Sequence, residues 1–127
     1  MSYKVLIVDD SKLARMAVIK VLMALHPQWS RIEASNADEA LQMMSDLHPE
    51  IALLDFNMPG RDGLDLAAHI ARSNPGVQVA VISANSQQEI VERTRDVGAY
   101  FIAKPMTQEK LAAFLAIAVG RLSSEKA

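Results

Sequence analysis

The chain has 127 residues, 50% of them hydrophobic and 22% charged, which suits one soluble globular domain built around a single core. A formal net charge of -2 leaves no basic footprint for binding nucleic acid through phosphate neutralisation, and the lack of cysteine excludes a disulfide framework, a thiolate zinc site and a cysteine nucleophile. No apolar run approaches the ~18 residues of a membrane span, the amino terminus lacks the features of a signal peptide, and a cytoplasmic location is expected.

Val5 to Val8 is aliphatic without alternation, the pattern of a strand buried on both faces, and Asp9-Asp10 closes it. Ser11 is placed to cap a helix through about Leu25, with Leu13, Ala14, Val18, Val21, Leu22 and Leu25 as its apolar stripe. His26-Pro27 ends that helix, because proline disfavours helix at the residue before it. Trp29 falls in the connection or covers the sheet edge, and Arg31 to Ala34 is a short second strand. Asn36 and Glu39 have capping-box spacing and open a helix over about Ala37 to Leu47, which His48-Pro49 stops. The uncharged run Ile51 to Leu54 is a third strand that delivers Asp55 to its carboxyl end, where Met58-Pro59-Gly60 forces a turn.

Asp62 is placed to cap a helix over about Gly63 to Ser73, with Leu64, Leu66, Ala67 and Ile70 inward, and Asn74-Pro75-Gly76 stops it. Val77 to Ile82 is a fourth strand ending at Ser83-Ala84. Ser86-Gln87-Gln88-Glu89 has the capping-box form and predicts a helix to about Val97, with Gly98 as its stop. Tyr100 to Ala103 is a fifth strand ending at Lys104-Pro105, and Thr107 caps a last helix with Leu111, Phe114, Leu115, Ala118, Val119 and Leu122 on its apolar side. Residues 123–127 form a polar tail expected to fray. Strand and helix alternate five times, which predicts an α/β fold: a five-stranded parallel sheet with five helices on both faces and right-handed crossovers.

In open parallel sheets, ligands sit at the carboxyl ends of the strands. Four of the five strands end there in polar residues: Asp9-Asp10, Asp55, Ser83 and Lys104. Singly, each has an ordinary reading as helix-start charge, turn former or solvated lysine. Together they suit phosphoryl transfer. Three converging carboxylates repel one another unless a cation lies among them, and an all-oxygen donor set suits Mg²⁺ with waters retained. Asp55, on the central apolar strand, is the candidate nucleophile that would form an aspartyl phosphate, with Asp9 and Asp10 holding the metal. Ser83 would donate its hydroxyl to a phosphate oxygen, and Lys104 would supply a compact positive charge.

The motifs Leu6-Ile-Val-Asp-Asp10, Leu53-Leu-Asp-Phe-Asn-Met-Pro-Gly60, Asp62-Gly63, Ser83-Ala84 and Lys104-Pro105, spread over about Lys4 to Leu122, resemble the receiver domain of two-component response regulators in its single-domain, chemotaxis-regulator form. The resemblance implies a flavodoxin-like sheet of order 2-1-3-4-5, with residues 1–127 one receiver domain and its core at about 4–122. It implies phosphorylation of Asp55, and Mg²⁺ held by Asp10, Asp55 and the backbone carbonyl of Asn57, with Asp9 acting through water. It further implies Ser83 and Phe101 as switch residues, Lys104 as the partner of the phosphate, and a cis bond before Pro105. Asn57 and Asn85 fall where side chains influence hydrolysis of the phosphate, and Met106 stands where phenylalanine is common.

The implied function is a phosphorylation-activated signalling switch that catalyses only its own phosphorylation and dephosphorylation, and is otherwise not an enzyme. A histidine kinase or histidine phosphotransfer protein would supply the phosphoryl group. The fourth helix, fifth strand and last helix would form the surface read by a downstream protein or by an output domain following the receiver. Direct contact with nucleic acid or membrane is not expected. Two readings compete: a haloacid-dehalogenase-type phosphatase, which wants a second aspartate where Asn57 stands, and a phosphorylation-independent interaction module. His26, His48 and His69 lack metal-ligand spacing, and Met16, Met23, Met43, Met44 and Met106 read as core or interface filler.

Overall fold

A computed structural model describes residues 2–126, with side chains through Ser124. Five strands alternate with five helices: β1 (Lys4–Val8), α1 (Lys12–Leu25), β2 (Ser30–Ala34), α2 (Ala37–Leu47), β3 (Ile51–Asp55), α3 (Gly63–Ser73), β4 (Gln78–Ser83), α4 (Gln88–Asp96), β5 (Tyr100–Ala103) and α5 (Gln108–Lys126). All strand pairs are parallel and the order is β2-β1-β3-β4-β5, the expected flavodoxin-like arrangement. Among the described residues no helix is long and apolar enough to cross a membrane.

Successive side chains of a strand point to opposite faces, so each central strand feeds two cores. Val5, Ile7, Leu53 and Ile82 pack with Leu22 of α1 and with Leu111, Phe114 and Leu115 of α5. Leu6, Val8, Ala52, Leu54 and Val81 pack with Ala40 and Met44 of α2 and with Leu66 and Ile70 of α3. All five residues of β3 are buried, as an uncharged central strand covered on both sides requires. The same alternation runs through the strand ends. Asp9 follows Val5 and Ile7, and Asp55 follows Ile51 and Leu53, so both acids lie on the α1/α5 side.

Three details depart from the sequence reading. Leu13 is 79% exposed and does not belong to the inner stripe of α1. It lies nine residues before the buried Leu22, which at 3.6 residues per turn is about half a revolution away. Ser86 does not cap α4; the cap residue is Gln87, without a side-chain cap bond. The loop polar groups serve the loop itself, Ser83 Oγ accepting from the Asn85 N–H and Asn85 Oδ1 from the Gln87 N–H. Finally, α5 remains helical to Lys126, through residues expected to fray, while Ala127 lies outside the described residues.

Candidate functional site

The carboxyl edge of the sheet gathers three acids and one lysine. Val8 pairs in register with Leu54, so the residues that follow, Asp9 and Asp55, emerge side by side. One carboxylate oxygen from each of Asp9, Asp10 and Asp55 lies within 4.8 Å of the others. Asp9 and Asp55 are buried while Asp10 is exposed. Lys104 Nζ stands 2.7 Å from Asp55 Oδ1. Among the described residues no aligned hydrogen bond reaches that buried oxygen, so the ammonium charge is its compensation.

Asp9 is held more fully. Its N–H donates to the Ala34 carbonyl at 3.2 Å, its Oδ1 accepts from the Ser11 N–H at 2.9 Å, and its carbonyl accepts from Arg15 Nη1 at 2.6 Å. Burial pushes the Asp9 carboxyl above its ordinary pKa, and the charges of Asp55 and Asp10 push the same way. The Ser11 N–H and the Lys104 ammonium oppose them.

Ser83 ends β4 fully buried, and the Lys104 N–H donates to its carbonyl at 2.9 Å, tying the two strand ends together. Accepting from the Asn85 N–H leaves the Ser83 hydroxyl its own hydrogen to donate. The Lys104-Pro105 bond is cis. Asn57 is exposed and shares an open recess with Asp10, Phe56, Met58, Pro59 and Asp62. A second, mostly apolar cavity of about 300 Å³ runs beneath Asp9, Asp55 and Lys104 toward Ala14 and Val18 of α1. Phe101 lines neither space; it is half-buried on the edge strand β5, paired in register with Val81.

Three residues that shape the site escaped the sequence reading in this role. Arg15 grips the Asp9 carbonyl. Lys110 donates from Nζ to the carbonyls of Ala103 at 3.0 Å and Pro105 at 3.1 Å, bracketing Lys104. Gly63 lets α3 start against the end of β3, where a Cβ would fall on the Asp55 carbonyl group. The histidines lie apart from the acid trio: His26 stacks on Trp29, His48 ends α2 in the left-handed region, and His69 Nδ1 meets Arg61 Nη2 at 2.9 Å.

The donor set fits a hard divalent cation. It is all oxygen, one buried carboxylate oxygen lacks an aligned hydrogen bond, and an exposed third acid leaves room for retained waters. The site as a whole is a buried acid with a lysine at contact distance and a cluster able to accept a cation beside it. Such a site can receive a phosphoryl group on the acid and hold the resulting charge.

The response regulator receiver domain family matches residues 5–116. The chain is 36% identical over 122 residues to the transcriptional regulatory protein PdtaR of Mycobacterium tuberculosis, covering 93% of this chain and 57% of PdtaR. It is 32% identical over 112 residues to the chemotaxis protein CheY of Thermotoga maritima, covering 87% of this chain and 92% of CheY. The chain thus spans little more than half of PdtaR and nearly all of CheY. The crystal structure of a CheY-like receiver domain protein from Methanospirillum hungatei superposes with a TM-score of 0.88 at 21% identity, over 98% of this chain and 99% of that one, and shows the shared fold. On the match of its sequence from residue 5 to residue 116, the chain belongs to the response regulator receiver domain family.

Proposed function

We propose that this receiver domain is a phosphorylation-activated switch whose acceptor is Asp55. The observation that carries the reading is the state of Asp55: a buried carboxylate at the end of the central strand, one oxygen without an aligned hydrogen bond, with Lys104 at 2.7 Å and two further acids beside it. A carboxylate oxygen of Asp55 attacks phosphorus, a new O–P bond forms, and the bond from phosphorus to the donor breaks with its electron pair leaving on the donor. Lys104 moves its charge from the carboxylate to the phosphoryl oxygens, and Ser83 donates its hydroxyl hydrogen to one of them.

Asp10, Asp55 and the Asn57 carbonyl would hold Mg²⁺, with Asp9 acting through water. The chemistry supplied at that position is neutralisation of the acid cluster and of charge on the phosphoryl oxygens. Residues 4–122 are read as one receiver unit working in the cytoplasm, fed by a histidine kinase or histidine phosphotransfer protein. Capture of the phosphoryl group by Ser83 and Lys104 biases the α4–β5–α5 surface, including Phe101, toward a second state that a downstream protein or an output domain reads. The phosphatase alternative is not favoured, since Asn57 puts an amide where that chemistry needs a second carboxylic acid.

The direct test is labelling by acetyl phosphate, followed by intact-protein mass. Wild-type protein is expected to gain one phosphoryl group only when Mg²⁺ is present, and Asp55→Asn to gain none. Labelling that persists unchanged in Asp55→Asn would end the assignment. A protein that folds normally but never labels, and shows no Mg²⁺-dependent response to beryllium fluoride, would instead be a phosphorylation-independent module.

A further inference from the structure

The loop that carries Asp9 and Asp10 is held by a side chain outside the acid trio, which a second side chain braces. Arg15 of α1 reaches back so that Nη1 donates to the Asp9 carbonyl at 2.6 Å, while Nε donates to Glu33 Oε1 on β2 at 3.0 Å. The Arg15 side chain is only 14% exposed and that of Glu33 41%. The Asp9 carbonyl belongs to the peptide leading into Asp10, so its orientation governs where Asp10 sits. With the Asp9 N–H on Ala34 and its Oδ1 on the Ser11 N–H, Arg15 supplies a third restraint on this turn.

We propose that Arg15, braced by Glu33, is a positioning residue that presets the Asp9–Asp10 limb of the cation site and thereby sets its affinity for Mg²⁺. The inference rests on the reading of this cluster as a receiver cation site. Two effects of Arg15 oppose each other. Its positive charge repels a divalent cation, so removing that charge tightens binding. Its hydrogen bond fixes the turn, so removing that bond lets the exposed Asp10 rotate into water and weakens binding. Glu33 pairs with the guanidinium and quenches much of the repulsion, which leaves positioning dominant. The sign of the change therefore separates the two.

The experiment is calorimetric titration of Mg²⁺ into the 127-residue wild-type chain, Arg15→Met, Arg15→Lys and Asp10→Asn, well below their melting temperatures, with thermal melts recorded in EDTA. Arg15→Met is expected to bind Mg²⁺ on the order of 10-fold more weakly, the lower end for losing a group that orients a ligand. Arg15→Lys keeps the charge but cannot hold Asp9 and Glu33 with one rigid fork, and falls between the two. Simple destabilisation would lower the melting temperature without changing the affinity of the folded protein. Equal or tighter binding by Arg15→Met overturns the proposal; if that variant does not fold, Arg15→Lys binding as wild type does. A wild-type protein that takes up no Mg²⁺, or an Asp10→Asn variant that binds normally, overturns the underlying reading of the site instead.

Discussion

Lys104 and Asp55 form an unequal pair, since the Asp55 side chain is 6% exposed and that of Lys104 38%. Removing one partner of a fully buried pair costs about 3–5 kcal/mol, because an uncompensated charge stays behind. Exposure of Lys104 lowers the expectation for Lys104→Met to about 1–3 kcal/mol in metal-free buffer. Saturating Mg²⁺ should recover most of that loss, since a cation at the trio does the same work for Asp55. Denaturant unfolding in EDTA and in Mg²⁺ checks this, and an equal loss in both buffers would deny Lys104 the role of counter-ion. The meeting of Asp9, Asp10, Asp55, Ser83 and Lys104 was legible in the sequence because a parallel sheet delivers every strand end to one edge. Arg15 and Lys110 were not, because both act on backbone carbonyls, which leave no mark on side-chain pattern. A faint signal existed: both cations sit near helix starts, where the helix dipole disfavours positive charge, and around Arg15 the first turn of α1 has no acid to offset it.

At the scale of elements, the junction of β3 with α3 is the tightest constraint on the acceptor. The Gly63 N–H donates to the Phe56 carbonyl at 3.0 Å, which docks the first residue of α3 onto the strand end. A Cβ at 63 would overlap the Asp55 carbonyl oxygen and lie 2.8 Å from its carbon, and backbone cannot yield as a flexible side chain can. Gly63→Ala should therefore cost about 1–3 kcal/mol, as overpacking does, and slow labelling by acetyl phosphate because the adjustment falls on Asp55 itself. A denaturant midpoint and labelling rate both equal to wild type would show that the junction relaxes elsewhere. Asp62-Gly63 was readable as a cap and a helix start, and Asp62 Oδ1 does accept from the Asp65 N–H at 2.8 Å. The need for glycine was not readable, because it arises from a close approach between segments rather than from local preference. Leu13 and the start of α4 failed for a related reason. Hydrophobicity alone does not say which side of a helix faces the sheet, and a run such as Ser86 to Glu89 does not reveal that Ser83 and Asn85 have already organised the loop.

Across the whole molecule, the alternation of strands and helices made the parallel sheet and its two cores legible, and the family's strand order completed the topology. The sequence did not show that the opposite, amino edge of the sheet carries its own cluster, because stacking of rings is a tertiary fact. There His26 stacks on Trp29 with centroids 3.7 Å apart and planes 5° from parallel, and Tyr3 meets Trp29 edge-on at 5.2 Å. Burial holds the His26 pKa below its ordinary value. The unfolded chain therefore takes up this proton first, near pH 6.5, while the folded protein still resists it. The stability contributed by neutral His26 is fully present above about pH 6.5 and is lost as the pH falls through the lower folded value. His26→Phe keeps an aromatic face against Trp29 and removes the proton-binding group. Melting temperatures followed downward from pH 7.5 should fall less steeply in His26→Phe than in wild type, with the two profiles diverging only below about pH 6.5. Because the stack and the acid trio occupy opposite edges of one sheet, Mg²⁺-dependent labelling of Asp55 at pH 7.5 should be the same in both proteins. Parallel melting profiles would remove His26 as the source of the slope, and a labelling defect in His26→Phe would mean that the two edges are coupled through the strands between them.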